Sequence, residues 1–207
     1  MIHKNVITDF CRKEYLPQID PSAYIHPLSA VIGHVFVGRR VLVSPFASIR
    51  GDEGQPINVG DESNVQDGVI LHALETEQGG QPIEANLVEA DGKKYSVYVG
   101  KRVSLAHQVQ IHGPAYVGDD TFVGMQTLVF KARVANNCVI EPGCIIMGVS
   151  VPTGRYVPAG TVLKNQNDAD SLPEITHDYP LKDLNKGVIH VNTHLADGYN
   201  KIDLKIG

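Results

Sequence analysis

From Ile19 onward, aliphatic residues recur at every sixth position. The chain cuts into "IDPSAY", "IHPLSA", "VIGHVF", "VGRRVL", "VSPFAS" and "IRGDEG", and the beat resumes with "VGDESN", "VQDGVI" and "LHALE". After a polar insertion from about Thr76 to Tyr98 it continues as "VGKRVS", "LAHQVQ", "IHGPAY", "VGDDTF", "VGMQTL" and "VFKAR". It closes with "VANNCV", "IEPGCI", "IMGVS", "VPTGRY" and "VPAGTV". The first position is Ile, Val or Leu almost throughout, and the fifth is usually small. Six is neither the helical period nor plain alternation; it is the period of a parallel β-helix, with short strands as walls and turns as corners. First positions then point inward and fifth positions fill the crowded interior.

The beat fades near Leu163. Beyond it Leu181, Leu184, Val188, Val191 and Leu195 form a helical stripe, read as packing surface, with Pro180 placed for a helix start and Gly198 for its stop. The expected fold is mainly β: a parallel β-helix of hexapeptide repeats with one C-terminal α-helix along it. Its divisions are an N-terminal extension (1–18), the β-helix (19–164) with an acidic loop at 75–98, and a C-terminal helical segment (165–207).

The net charge of −5 argues against a nucleic-acid partner. No apolar run approaches membrane-spanning length, and "MIHKNVITDFCRKEYLPQ" has no apolar signal region. The expectation is a cytoplasmic protein without a membrane partner, a secretion signal already removed being the alternative. Cys11, Cys138 and Cys144 show no paired ligand spacing; the last two fall at the small fifth position, as buried hydrophobes would.

Three hexads close one coil, so every third hexad stacks on one face. The second positions of one face are Ile32, Arg50, His72, His112, Phe130 and Met147. His72 and His112 become neighbours about 4.7–4.9 Å apart at strand spacing. His107 is the third residue of "LAHQVQ", a different wall. If chains pack side by side with threefold symmetry, His107 of one meets His72 and His112 of its neighbour. Three His ligands with a fourth position open is the catalytic zinc arrangement. Such an ion lowers the pKa of its bound water from 15.7 to about 7, giving a hydroxide nucleophile at neutral pH. Imidazole serves Fe2+ or Co2+ as well as Zn2+. His3, His26, His34, His177, His190 and His194 read as ordinary surface residues.

"ASIRGDEGQPINVG", "SNVQDGVILHALE", "SLAHQVQIHGPAYVGDDTFVGMQTLVF", "GRYVPAG" and "VNTHLADGY" closely resemble γ-class carbonic anhydrases, especially the archaeal type. The resemblance runs from about Ile19 to Tyr199. It implies a left-handed β-helix, against the usual crossover rule, and a homotrimer with metal ions at subunit interfaces. It assigns His72 and His112 to one subunit's share of a site and His107 to the next subunit's. It makes Glu53 the active-site glutamate that assists proton transfer and Glu75 the proton shuttle. Gln66 and Asn64 match residues that hydrogen-bond the metal's solvent ligand. Arg50 and Asp52 match an intersubunit salt bridge, with Arg50 near bicarbonate, and Asn192 matches a helix residue lining the pocket. There are departures: archaeal relatives carry a tryptophan in the N-terminal extension, where this chain has none, and His190 stands where they have a tyrosine. The implied activity is reversible CO2 hydration; the alternatives are a non-catalytic γ-class scaffold and a hexapeptide-repeat acyltransferase.

Overall fold

The computed structural model describes residues 1–202, so the last five residues of the helical segment expected at 165–207 lie outside the described residues. Strands of two to four residues build three parallel sheets, the walls of a β-helix. The first sheet has eight strands, from Ile2–His3 through Ala30–Gly33, Ser48–Gly51, Ile70–His72, Gln110–His112, Leu128–Phe130 and Ile145–Met147 to Val162–Leu163. The second and third sheets have seven strands each. The first sheet thus begins inside the N-terminal extension, where Ile2 and His3 pair with Val31 and Ile32.

The six-residue period explains the interior. First positions such as Val31, Val43, Ile49, Val65, Leu71, Leu105 and Ile111 are buried in one continuous core with Ala47, Cys138 and Cys144. All three cysteines are free and buried. The corners use the fourth position. There Arg40, Glu62, Arg102, Gln108, Asp120, Gln126 and Asn137 all adopt φ between 52° and 62°. Left-handed backbone costs a non-glycine residue about 1–2 kcal/mol, and the ladder bonds of two adjoining walls hold it at each corner.

The insertion expected as a loop is instead two antiparallel hairpins, Glu77–Gln78 with Gln81–Pro82 and Val88–Ala90 with Lys93–Tyr95. Their turns, Gly79-Gly80 and Asp91-Gly92, have positive φ at both central residues, the type I′ geometry that matches strand twist. The second hairpin docks on the second sheet through Val88 and Tyr95 against Tyr98, with Tyr98 stacked on Tyr116 at 5.1 Å.

The C-terminal segment holds the expected helix along the β-helix, preceded by a short helical turn. Helix α1 spans Gln166–Asp170 and helix α2 spans Leu184–Tyr199. Helix α2 starts later than Pro180 predicts, because Tyr179 ties the chain into a turn: its hydroxyl donates to Glu141 at 2.8 Å and its ring stacks on Tyr156. Helix α2 lies on the third sheet, where Leu181, Leu184 and Val188 pack against Ala106, Phe122 and Val139. Arg40 forks onto Asp197 at 3.1 and 2.8 Å. Val191 and Leu195, expected as packing surface, stay exposed within the chain. Among the described residues no helix is long and apolar enough to cross a membrane.

Candidate functional site

Alternation along the first sheet turns Leu71 and Ile111 into the core and the next residues outward. The register pairs His72 with His112 and His112 with Phe130, while Leu71 pairs with Ile49, which sets Arg50 beside His72. The two imidazoles meet edge to face, centroids 5.5 Å apart. Arg50 Nη2 lies 2.7 Å from His72 Nε2. A guanidinium only donates, so that nitrogen presents its lone pair. His112 Nδ1 donates to the Gly113 carbonyl at 3.2 Å, which leaves Nε2 as the bare nitrogen. Burial holds His112 below its ordinary pKa, favouring the neutral ring.

Carboxylates complete this face. Glu53 Oε1 is 3.1 Å from His72 Nε2 and Asp52 Oδ1 is 3.4 Å from it. Arg50 Nε stands 3.5 Å from Asp52 Oδ2, so the pair expected across an interface meets here within one chain. Burial, with help from Asp52 and Glu75, pushes the Glu53 carboxyl above the usual range. Asp52 Oδ1 is buried and accepts no hydrogen bond among the described residues. Two imidazoles with unprotonated Nε2 atoms, that of His72 now accepting from Arg50, beside an orphaned carboxylate oxygen fit a divalent cation that takes the guanidinium's place. Asp52, Glu53 and His72 also offer ligand atoms within 4.8 Å of one another. Glu75, exposed, lines a cleft with Glu53, Glu77, Asp9 and Phe10.

A second group lies elsewhere. His107 stands at the corner after the Ser104–Leu105 strand of the third sheet, half exposed, its Nδ1 3.1 Å from Asp67 Oδ2. Gln66 Nε2 donates to Asn64 Oδ1 at 2.9 Å, and Asn64 Nδ2 to Ser104 Oγ at 3.0 Å. Asn192, on α2, donates to Val188 O at 2.8 Å. His107, Gln66 and Asn192 line one groove of about 990 Å3 beneath the helix, and Asn64 supports it from behind. The chain therefore places the candidate residues in two separate groups: His72, His112, Arg50, Asp52, Glu53 and Glu75 at the first sheet, and His107, Asn64, Gln66 and Asn192 at the third.

Three supporting residues escaped the sequence reading. Asp67 and His107 share the third position of stacked hexads, "VQDGVI" and "LAHQVQ", so a signal existed; the carboxylate stands beside Nδ1 at 3.1 Å. His34, read as a surface residue, is stacked flat on Tyr15 at 3.8 Å and reaches the Gly54 carbonyl with Nδ1 at 3.0 Å. Burial lowers its pKa. Thr76 is fully buried. Its hydroxyl donates to Glu53 O at 2.7 Å and accepts from Gln55 N–H at 2.6 Å. Gly54, at φ +105°, is required there: a Cβ would stand 2.5 Å from that hydroxyl. Thr76 thus fastens the Glu53 turn to the residue that follows Glu75. Thr76→Val should leave the Gln55 N–H unsatisfied and cost about 1–3 kcal/mol, measured by urea unfolding, while Thr76→Ser should recover most of it.

The geometry can be set beside known proteins. No protein-family model matches the chain. It is 58% identical to a carbonic anhydrase of Methanosarcina thermophila over 201 residues, 97% of this chain and 81% of that protein. It is 43% identical to the carboxysome assembly protein CcmM of a Nostoc species over 88% of this chain, but spans only 31% of that longer protein. Among solved structures, a hexapeptide transferase family protein from Anaplasma phagocytophilum superposes with TM-score 0.69 at 23% identity, covering 89% of this chain and 93% of that one. That likeness shows the fold alone. Near-full-length identity to the Methanosarcina enzyme shows more: the chain belongs to the γ-class carbonic anhydrase family, and is an enzyme.

Proposed function

We propose that the protein catalyses the reversible hydration of CO2 to bicarbonate as a homotrimer, each metal site assembled from these two groups on adjacent subunits. The observation that carries this reading is the pair of imidazoles on adjacent coils, His72 and His112, with Glu53 Oε1 3.1 Å from His72 Nε2, in a chain that matches a carbonic anhydrase over nearly its whole length. His72 and His112 of one chain and His107 of the next would hold the ion. Zn2+ suits three imidazoles, and so do Fe2+ and Co2+. The ion supplies Lewis-acid activation of water as a nucleophile at neutral pH.

The chain's own groups do the rest. Glu53, raised in pKa by burial, takes the proton released near Oε1. Glu75, lining the same cleft at the surface, hands it to solvent; positioned acid–base groups contribute about 10²–10⁴-fold. Gln66, its amide fixed by Asn64, orients the reacting water through hydrogen bonds. Asn192 forms part of the pocket wall. Arg50, tethered to Asp52, offers positive charge to bicarbonate.

Similarity to carboxysome assembly proteins favours a second reading, a scaffold without turnover. Stopped-flow CO2 hydration on protein loaded anaerobically with zinc or iron, with metal measured per chain, separates the two. Rapid hydration supports the enzyme reading. Full metal occupancy with no hydration would overturn it for the scaffold.

A further inference from the structure

We propose that His190 and His194 form a second metal site, a two-imidazole chelate on the exposed surface of α2 that takes a late first-row divalent ion such as Cu2+ or Zn2+. The two residues are four apart on a regular helix of 16 residues, the spacing that sets side chains one above the other on one face. Their ring centroids are 4.2 Å apart with planes tilted by 46°. Nitrogens that each bind one ion at about 2.0–2.1 Å must lie within about 4 Å of each other, a separation that rings with centroids 4.2 Å apart reach by turning. Both residues are exposed within the chain.

The hydrogen bonding selects the ligand atoms. His194 Nδ1 lies 2.7 Å from the His190 carbonyl. A carbonyl only accepts, so Nδ1 carries the hydrogen and Nε2 presents its lone pair. This is how His112 is anchored on Gly113 in the first-sheet group, and anchoring of the far nitrogen is what fixes a metal-binding tautomer. Among the described residues the His190 ring makes no hydrogen bond, so it is free to turn toward the ion. Asp197, further along the helix, lies near enough to His194 for their charges to interact, so a cation bound there gains an anionic neighbour. Its carboxylate is committed to Arg40 at 2.8 Å, which leaves the two imidazoles as ligands and water in the remaining positions. None of these residues belongs to the groups that the proposed CO2 chemistry uses.

The test is calorimetric titration of Zn2+ into the protein already carrying its tightly bound metal, repeated on His190→Ala, His194→Ala and His107→Ala. The expected result is one further Zn2+ per chain, with apparent affinity weakened at least about 10-fold in either helix variant and unchanged in His107→Ala. Cu2+ added in the same way should show electron-spin-resonance couplings to two nitrogens, reduced to one or none in the helix variants. No further Zn2+ uptake, equal uptake by the helix variants, or loss of the weaker phase in His107→Ala would each overturn the site. A His107→Ala protein that loses only its tight metal leaves this site standing and bears separately on the shared catalytic centre.

Discussion

Replacing His107 by alanine should strip metal from the whole assembly, from one ion per chain toward none, and cut CO2 hydration by more than about 100-fold, beyond the 10–100-fold usual for a supporting residue. The size of the effect follows from where His107 stands. It lies on the third sheet's corner, oriented by Asp67, while His72 and His112 pair on the first sheet. In a cyclic assembly every interface is the same, so one substitution removes one ligand from each site. Complementation gives the decisive form. His72→Ala and His107→Ala chains are each inactive alone, but refolded together at equal amounts they should regenerate about a quarter of the sites, since an intact site needs one chain of each kind at its interface. Recovery would establish shared sites. Full metal in His107→Ala alone would end the interface reading.

Glu75→Ala is expected to lower the turnover rate by about 10²-fold or more in weak buffer, with metal content unchanged. Glu75 is exposed, lines the cleft with Glu53 and, among the described residues, forms no ion pair with either imidazole, unlike Glu53. A small diffusible base can enter such a cleft, so added imidazole should restore much of the rate. Thr76 adds a control. It locks the backbone at Glu53, so Thr76→Val should displace both carboxylates together, and rescue by imidazole should be weaker there. Identical rates with and without buffer in Glu75→Ala would remove Glu75 from the proton path.

The pairing of His72 with His112 was legible because the six-residue beat counts coils, not residues: the insertion between them adds chain without changing the register. The same count gives the third-wall position of His107. Corner geometry was less legible. The fourth hexad position hosts Arg, Glu, Gln, Asp and Asn with positive φ, and no one residue type marks it. The hairpins were missed although Gly79-Gly80 and Asp91-Gly92 are strong turn signals, because the acidic residues around them resemble a solvated run. Thr76 and His34 act by hydrogen bonds to backbone atoms of the Glu53 turn, contacts that depend on how the first hairpin and the N-terminal segment fold over that turn. Neither fold is set by the repeat. The late start of α2 depends on the Tyr179–Glu141 bond, a tertiary contact that overrides Pro180.

Helix α1 bears on how such a molecule stays finite. A β-helix ends in an open row of amides and carbonyls, a template for the next chain. Here the Gln166 side chain imitates one more rung: its Oε1 accepts from Ser150 N–H and its Nε2 donates to Ser150 O, both at 2.9 Å. Ala169 and Leu172, buried in the main core, plug the axis behind it. A polar side chain in place of the next strand and a short apolar stopper close the tube. Without them the second sheet would present an open edge, the kind of surface through which head-to-tail contacts propagate without closing.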